Sequence, residues 1–123
     1  MFSLSVDEKG NQLVITFKDY FDLKQSEQFY AHVQKIVPKL KKGFSVLTDL
    51  SYLERMEISA KFFIEEVMDL LNQHGVSMVI RIIPDKKKDI GFSIMSLFHY
   101  SVEVPIHTYK SYPEAARLNK FLK

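Results

Sequence analysis

Hydrophobic and polar residues alternate with a period of two at the start of the chain. Phe2, Leu4 and Val6 are separated by serines, and residues 12–17 repeat the alternation. A period of two is the spacing of a strand that buries one face. The tripeptide Lys9-Gly10-Asn11 between the two runs is typical of a turn. The pattern therefore predicts a β-hairpin.

A helical period replaces the alternation after residue 22. Asp22 can cap the start of a helix, because its carboxylate accepts hydrogen bonds from the free N–H groups of the first turn. Pro38 is expected to end or kink this helix, since proline lacks an N–H and disfavours helical geometry in the residue before it. The predicted buried face of the helix consists of Phe29, Val33, Ile36, Val37 and Leu40.

The middle of the chain predicts a strand, a polar loop and a second helix. Residues 44–49 form an apolar run that ends at Asp49, and an amphipathic helix is expected from about Ser59 to His74. Gly75 suits the left-handed conformation that commonly ends a helix. The predicted inner face of this helix consists of Phe63, Val67, Leu70 and Leu71, widened by Ile64 and Met68.

The last third of the chain continues the alternation of strands and helices. Residues 76–83 are apolar on both sides, which indicates a central strand covered on both faces. A helix is expected over residues 89–100, and a further strand over residues 102–106. Pro105 cannot donate a ladder hydrogen bond, so this strand is predicted at an edge of the sheet. The final helix is predicted to begin with a hydroxyl cap at Ser111.

The predicted order of elements is β-β-α-β-α-β-α-β-α. Strands that alternate with helices indicate an α/β fold with a mainly parallel sheet and flanking helices. The first hairpin adds one antiparallel strand. With 123 residues and no linker, repeat or low-complexity segment, residues 1–123 are expected to form a single domain.

Composition excludes several classes of protein. The formal net charge is +2, from 17 basic and 15 acidic residues, which is too balanced for the basic stripe of a nucleic-acid-binding protein. No apolar run approaches the roughly 20 residues of a membrane span. The N terminus lacks the basic and apolar segments of a signal peptide. With no cysteine in the chain, we expect a cytoplasmic protein without disulfides.

Motifs for a cofactor or a metal are missing from the sequence. The chain has only four glycines and neither of the common phosphate-binding glycine patterns. Its four histidines lie on four different predicted elements, without the close spacing of zinc ligands. An enzyme would need a set such as Asp49, Ser59 and a histidine brought together by the fold. No cofactor, metal or catalytic residue is therefore predicted.

The segment from Thr48 to Lys61 is the predicted functional region. A strand that ends in Asp49 leads to a helix that begins near Ser59, and such strand-to-helix connections commonly carry function in α/β domains. The Ser59 hydroxyl could cap the helix. The same position also suits a phosphate, because the helix dipole favours negative charge there.

The residues of this segment, together with the order of elements, resemble the STAS domain, the fold of bacterial anti-sigma-factor antagonists of the SpoIIAA type. Members typically carry Asp-hydrophobic-Ser at a strand end, and Met/Ile-Asp-Ser-Ser-Gly at the start of the next helix. Asp49-Leu50-Ser51 matches the first motif, and residues 56–60 occupy the second with equal spacing. Residues 111–116 are similar to the family's closing helix, which often begins Ser-x-x-Glu-Ala.

The resemblance implies that Ser59 occupies the position of the serine that an anti-sigma kinase phosphorylates in the antagonists. Three residues differ from the motif: Glu57 replaces Asp, Ile58 replaces the first Ser, and Ala60 replaces Gly. Ile58 places an apolar side chain where a kinase would meet a polar loop, and Ala60 lacks the backbone freedom of glycine. These differences favour a helix cap at Ser59 over a phosphorylation site.

The first functional hypothesis is a non-catalytic regulatory module that binds a protein. The partner would be an anti-sigma-like kinase or another regulator. Its surface would lie in the strand–loop–helix segment, which has a family pattern but no catalytic set. The predicted partner-binding residues are Asp49, Ser51, Arg55, Glu57 and Ser59.

The alternative hypothesis is binding of a lipid or another small apolar ligand. The chain also resembles a sister group of SpoIIAA-like proteins, similar in fold to CRAL-TRIO lipid-binding domains, that lacks the phosphorylated motif. In that group the third helix is thought to shift and open an apolar groove. Here the predicted helix over residues 89–100 is rich in aromatic residues and methionine, and its candidate ligand contacts are Phe92, Met95, Phe98 and Tyr100.

Overall fold

The computed structural model describes residues 1–83 and 103–118. Within these ranges five strands and three α-helices follow the predicted alternation. They are β1 (Phe2–Asp7), β2 (Gln12–Phe21), α1 (Leu23–Ile36), β3 (Ser45–Met56), α2 (Lys61–Gln73), β4 (Met78–Ile82), β5 (Ile106–Tyr109) and α3 (Tyr112–Leu118). Short 3-10 turns lie at Val37–Lys39 and Ile58–Ala60. The helix predicted over residues 89–100 lies outside the described residues.

The five strands form one sheet in the order β1-β2-β3-β4-β5. β1 is antiparallel to β2, and every other neighbouring pair is parallel. This mixed, mostly parallel α/β sheet confirms the predicted fold class. The parallel pairs place the carboxyl ends of β2, β3 and β4 on the same side of the molecule, where α/β folds usually bind ligands.

The N-terminal hairpin forms as the alternation predicts. Its register runs without interruption from Phe2 opposite Phe17 to Asp7 opposite Gln12. In the turn, the Asp7 carboxylate accepts a 3.0 Å hydrogen bond from the backbone N–H of Gly10. The apolar residues of β1 and β2 therefore share one face of the sheet, which is the face that α1 covers.

The first helix begins and ends where the sequence predicts. Asp22 caps α1, because its Oδ1 accepts a 2.8 Å hydrogen bond from the N–H of Gln25. The α-helix ends at Ile36, and Pro38 lies within the 3-10 turn that follows. Gly75 has the predicted positive φ, +97°, and follows the end of α2.

The core lies on both faces of the sheet. Helices α1 and α2 pack together over one face, and the smaller cluster on the other face includes Ala115 of α3. The buried side chains of α2 are Ile64, Val67, Met68 and Leu71, while the predicted core residues Phe63 and Leu70 are only half-buried. Leu118, at the end of α3, is 59% exposed.

The last described strand is the edge strand that the sequence predicts. Among the strands that the structure describes, β5 pairs only with β4 and is the last strand of the sheet. Pro105 precedes the strand, and its carbonyl accepts a 3.0 Å hydrogen bond from the N–H of Val79. The start of the strand was predicted too early, since Glu103 and Val104 lie in a turn.

Candidate functional site

β3 extends well beyond the predicted end of the strand at Asp49. It pairs with β4 only from Ser45 to Asp49, but it continues beside β2 until Met56. The prediction of a polar loop after residue 49 is therefore wrong. Leu50 and Leu53 explain the difference, because both side chains are almost fully buried and hold this segment against the core.

Two irregularities in the pairing of β2 with β3 explain why the sequence pattern does not predict this extension. The register shifts between Thr16 and Lys18 and again between Asp19 and Tyr20. Asp19 has a positive φ of 55°. Each irregularity changes which side chains point to the core, so no simple period of two remains. The result is a two-stranded extension that projects past the end of β4.

Glu57 occupies the centre of a hydrogen-bonded cluster at the end of this extension. Its Oε2 accepts a 2.7 Å hydrogen bond from the Tyr20 hydroxyl. Its Oε1 accepts from the backbone N–H of Leu23 at 3.3 Å and from the Ser59 hydroxyl at 3.2 Å. The backbone N–H of Glu57 donates to the carbonyl of Phe21 at 2.9 Å. One carboxylate thus ties together the ends of β2 and β3, the start of α1 and the turn before α2.

The hydrogen bonds of this cluster shift two ionisable groups in opposite directions. The hydrogen bond from Tyr20, followed by those from Leu23 and Ser59, lowers the pKa of Glu57. The hydrogen bond to Glu57 raises the pKa of Tyr20. Both shifts have the same origin, because the bond favours an ionised carboxylate and a neutral phenol. Near neutral pH the site therefore presents a fixed negative charge.

Arg55 is exposed and belongs to the same end of the molecule. Its guanidinium carbon lies 5.4 Å from the centroid of the Tyr20 ring, within the range of a cation–π contact. Arg55 is opposite Tyr20 in the β2–β3 register, which explains the contact. The structure therefore places two of the predicted partner-binding residues, Arg55 and Glu57, on either side of the Tyr20 side chain.

Ser59 does not cap the α2 helix, so this part of the prediction is wrong. Ser59 lies inside the 3-10 turn Ile58–Ala60, and the residue at the N-cap position of α2 is Ala60. Neither the turn nor the helix has a side-chain cap. The Ser59 hydroxyl donates to Glu57 instead, because the extra turn moves the start of the α-helix past it.

Asp49 and Ser51 lie apart from the Glu57 cluster. Asp49 is opposite Thr16, whereas Met56, the last residue of β3, is opposite Phe21. Phe21 is five residues beyond Thr16 on β2, which corresponds to about 16 Å of strand. The Asp49 carboxylate accepts a 2.9 Å hydrogen bond from the N–H of Ser51. The five predicted partner-binding residues therefore form two groups rather than one surface.

Exposed apolar side chains adjoin the Glu57 cluster. Ile58 is 89% exposed and directly follows Glu57, Phe62 is 59% exposed four residues later, and Leu23 is 40% exposed. The Leu23 backbone N–H donates to Glu57, Ile58 directly follows Glu57 in the chain, and Phe62 lies about one helical turn further along. We call Leu23, Ile58 and Phe62 the turn patch. Large apolar side chains grouped on a surface commonly mark an interaction site.

Sequence reasoning missed Tyr20, Leu23 and Phe62 as parts of this site. Tyr20 lies beyond the predicted strand over residues 12–17, and it joins the site because β2 continues to Phe21. For Leu23 the contribution is a backbone N–H, which no residue pattern reveals. For Phe62 a signal was present, because it lies four residues before Glu66 and seven before Asp69, on the polar side of the helix.

The candidate apolar-ligand residues Phe92, Met95, Phe98 and Tyr100 lie outside the described residues. In residues 1–83 and 103–118, no three histidine, aspartate or glutamate side chains are grouped so that they could hold a metal ion. No helix within the same ranges is long and apolar enough to cross a membrane.

The arrangement of strands and helices matches solved structures over nearly the whole chain. A protein of the DUF3478 family from Shewanella loihica PV-4, described as having a SpoIIAA-like fold, superposes with a TM-score of 0.73. The match covers 99% of this chain and 94% of that protein, at 10% sequence identity. This chain has a SpoIIAA-like fold. The fold predicted from the residues of the central segment is thereby confirmed.

Two further proteins extend the comparison. The anti-sigma factor antagonist SpoIIAA matches in its unphosphorylated form, with a TM-score of 0.62 and 16% identity over 95% of this chain and 94% of the other. Phosphorylated SpoIIAA from Bacillus gives the same score and identity over 97% and 100%. A chain from the complex of the diguanylate cyclase SiaD with its activator SiaC, from Pseudomonas aeruginosa, matches with a TM-score of 0.57 and 11% identity over 89% and 93%.

Sequence comparisons add no closer relationship. No family model matches the chain. No curated protein matches it either. At 10–16% identity the solved structures establish the SpoIIAA-like fold, and the function must be argued from the residues of the site.

Proposed function

We propose that this protein is a non-catalytic regulatory module that binds a protein partner through the turn patch and the adjoining Glu57 cluster. The observation that carries the proposal is the exposure of Ile58 and Phe62 in the segment that directly follows the hydrogen-bonded Glu57 carboxylate. An apolar centre with a fixed charge at its edge suits a protein interface, where the centre supplies affinity and the charge supplies orientation.

The rigidity of this surface also supports the proposal. Glu57 is held by three hydrogen bonds from its surroundings and by its own backbone N–H. These contacts already fix the turn. The turn would therefore lose little conformational entropy when a partner binds it. Of the proteins with the same fold, one is described as an anti-sigma factor antagonist and another belongs to a complex of a diguanylate cyclase with its activator. A regulatory role for this chain is consistent with those descriptions.

Phosphorylation of Ser59 stays a prediction. The Ser59 side chain is exposed and accessible. Its hydroxyl, however, donates to the Glu57 carboxylate at 3.2 Å. A phosphoryl group at this position would replace a donor with negative oxygens and repel Glu57. We propose that partner binding at this site uses the unmodified serine.

The experiment that tests the proposal compares two aspartate substitutions at equally exposed apolar positions. Phe62 and Leu118 are each 59% exposed, on α2 and on α3 respectively. The tagged wild-type chain would be used to capture a partner from the source cells, and the partner would then be purified. Calorimetric titration of this partner should show at least about a tenfold loss of affinity for Phe62→Asp, and almost none for Leu118→Asp.

Two outcomes would contradict the proposed site. One is a purified partner that binds Phe62→Asp and Ile58→Asp as tightly as it binds the wild type. The other is an equal loss of affinity in Leu118→Asp, which would place the contact elsewhere. Circular dichroism of each variant would establish that the substitution leaves the fold intact. A lipid recovered in place of a protein, in native mass spectrometry of the purified chain, would favour the apolar-ligand alternative.

A further inference from the structure

β1 is the outermost strand of the sheet, and it lacks the features that usually protect an edge. Its six residues pair with β2 without a bulge, and they include neither proline nor lysine. β5, at the opposite edge, has only four residues and follows Pro105. Within the described residues no strand pairs with the outer side of β1. Long, regular edge strands readily accept another strand, so β1 is the open edge of this fold.

The hydrogen bonds to β2 determine which backbone groups of β1 point outward. Met1 and Lys18 exchange two hydrogen bonds, of 2.7 Å and 3.0 Å, which makes them a closely spaced antiparallel pair. Such pairs alternate along an antiparallel ladder. The N–H and C=O groups of Phe2, Leu4 and Val6 therefore point to the open edge.

These outward groups are complementary to themselves. In an antiparallel pair of two β1 strands centred on Leu4, Leu4 of one copy faces Leu4 of the other, and Phe2 faces Val6 in both directions. Each facing pair exchanges two hydrogen bonds, so all the outward groups of residues 2, 4 and 6 are satisfied. We propose that two copies of this chain associate through β1, and form a continuous sheet across a two-fold axis.

In this register the apolar face of one sheet lies on the same side as the apolar face of the other. Phe2, Leu4 and Val6 are half-buried on the helix side, and they would extend the apolar layer of one copy into that of the other. Ser3 and Ser5 are exposed on the opposite side, and Ser3 of one copy would face Ser5 of the second. A shift by one residue would place apolar side chains opposite serines, so only even shifts preserve the faces.

The neighbouring surface of α1 is suited to approach by its own copy. A groove of about 630 Å³ lies between β1 and α1, and its helix side consists of Gln25, Gln28, His32 and Ile36. None of these four side chains is an acid, a lysine or an arginine, so the helix side of the groove brings no carboxylate, ammonium or guanidinium group to the second copy. Gln25 also carries the buried oxygen that lacks a hydrogen-bond partner in the described part of the chain. A second copy beside this groove would cover it further.

A pair of double variants tests both the association and its register. Ser3→Lys with Ser5→Lys places lysines opposite each other twice across the two-fold axis. Ser3→Glu with Ser5→Lys places glutamate opposite lysine twice. Both variants change only exposed positions on the solvent side of β1. Because cross-strand charge pairs act in opposite directions, the first variant should weaken the dimer and the second should strengthen it.

Sedimentation velocity over a concentration series gives the readout. The wild type should shift from the 14.4 kDa monomer toward twice that mass as concentration rises. The dissociation constant should be at least about fivefold higher for the lysine pair and lower for the glutamate–lysine pair. A wild-type chain that stays monomeric up to about 1 mM would overturn the proposal. Equal weakening by both double variants would overturn the register.

Discussion

The Tyr20 hydroxyl donates a 2.7 Å hydrogen bond to Oε2 of Glu57, and this contact joins the end of β2 to the turn before α2. The two residues are 37 positions apart in the sequence. Parallel pairing of β2 with β3 brings them together, since both lie at the carboxyl ends of their strands. The contact explains the lowered pKa of Glu57 and the raised pKa of Tyr20 with one interaction.

Removal of the Tyr20 hydroxyl should raise the pKa of Glu57. Tyr20→Phe keeps the ring and its contact with Arg55 but deletes the donor that contributes most to the lowered pKa of Glu57. The bonds from Leu23 and Ser59 remain, so the pKa should move part of the way to its ordinary value. Carbon-detected NMR titration of the Glu57 carboxyl group measures the change.

Tyr52→Phe is the matched control for this substitution. Tyr52 is also on the β2–β3 extension, but it is 63% exposed and its ring faces Lys18 rather than Glu57. The pKa of Glu57 should therefore be the same in Tyr52→Phe and in the wild type. An equal pKa in Tyr20→Phe and the wild type would mean that the Tyr20 contact has no influence in solution.

Stability should depend on pH through the Glu57–Tyr20 pair. Folding lowers the pKa of Glu57 below its ordinary value of about 4.3, so its stabilising contribution is present above that pH and is lost as pH falls through the folded pKa. Folding raises the pKa of Tyr20 above about 10, so its contribution is present below that pH and is lost as pH rises. The stabilising contributions of Glu57 and Tyr20 are both fully present between about pH 5 and pH 9.

Glu57→Gln isolates this dependence. The variant lacks the carboxylate charge, so the difference in unfolding free energy between wild type and variant should be largest in the neutral range. The difference should shrink below about pH 4 and again above about pH 10. Urea denaturation of both proteins at a series of pH values measures it. A difference that stays constant over the whole range would show that the charge of Glu57 is irrelevant to stability.

Exposed and buried isoleucines of the same region should respond very differently to truncation. Ile58→Ser removes a side chain that is 89% exposed, so the unfolding free energy should change by no more than about 0.5 kcal/mol. The Ile64 side chain on α2 is only 2% exposed. Ile64→Ala should leave a cavity in the core and lower the unfolding free energy by about 2–5 kcal/mol. Chemical denaturation of both variants tests the contrast. A large cost for Ile58→Ser would show that the turn patch is structural.

Local patterns predicted most of the fold, because each reports a nearby physical requirement. The alternation of β1 follows from burial of one face, and the Asp22 cap follows from the free N–H groups of the first helical turn. The positive φ of Gly75 follows from the geometry of a helix end. These features depend on neighbours within a few residues, so the sequence is sufficient to locate them.

The candidate site was predicted less completely because it depends on contacts between distant segments. The register shifts between Thr16 and Lys18 and between Asp19 and Tyr20 arise from pairing with β3, and no local pattern encodes them. They allow β3 to continue to Met56, which makes the predicted loop a strand. The role of Glu57 follows from this extension, since only a continued strand brings its carboxylate to Tyr20 and to the Leu23 N–H.

Ser59→Ala and Asp22→Ala should differ in their cost to stability, because Asp22 caps a helix and Ser59 does not. Asp22 accepts a 2.8 Å hydrogen bond from the N–H of Gln25, so its loss should cost about 1 kcal/mol. Ser59 bonds only Glu57 among the described hydrogen bonds and caps neither the 3-10 turn nor α2, so Ser59→Ala should change stability by less than about 0.5 kcal/mol. Thermal and urea denaturation of the two variants in parallel measures the contrast. If Ser59→Ala were as costly as Asp22→Ala, the hydroxyl would act as a cap in solution, and α2 would begin at Ala60, one residue earlier than the structure places it.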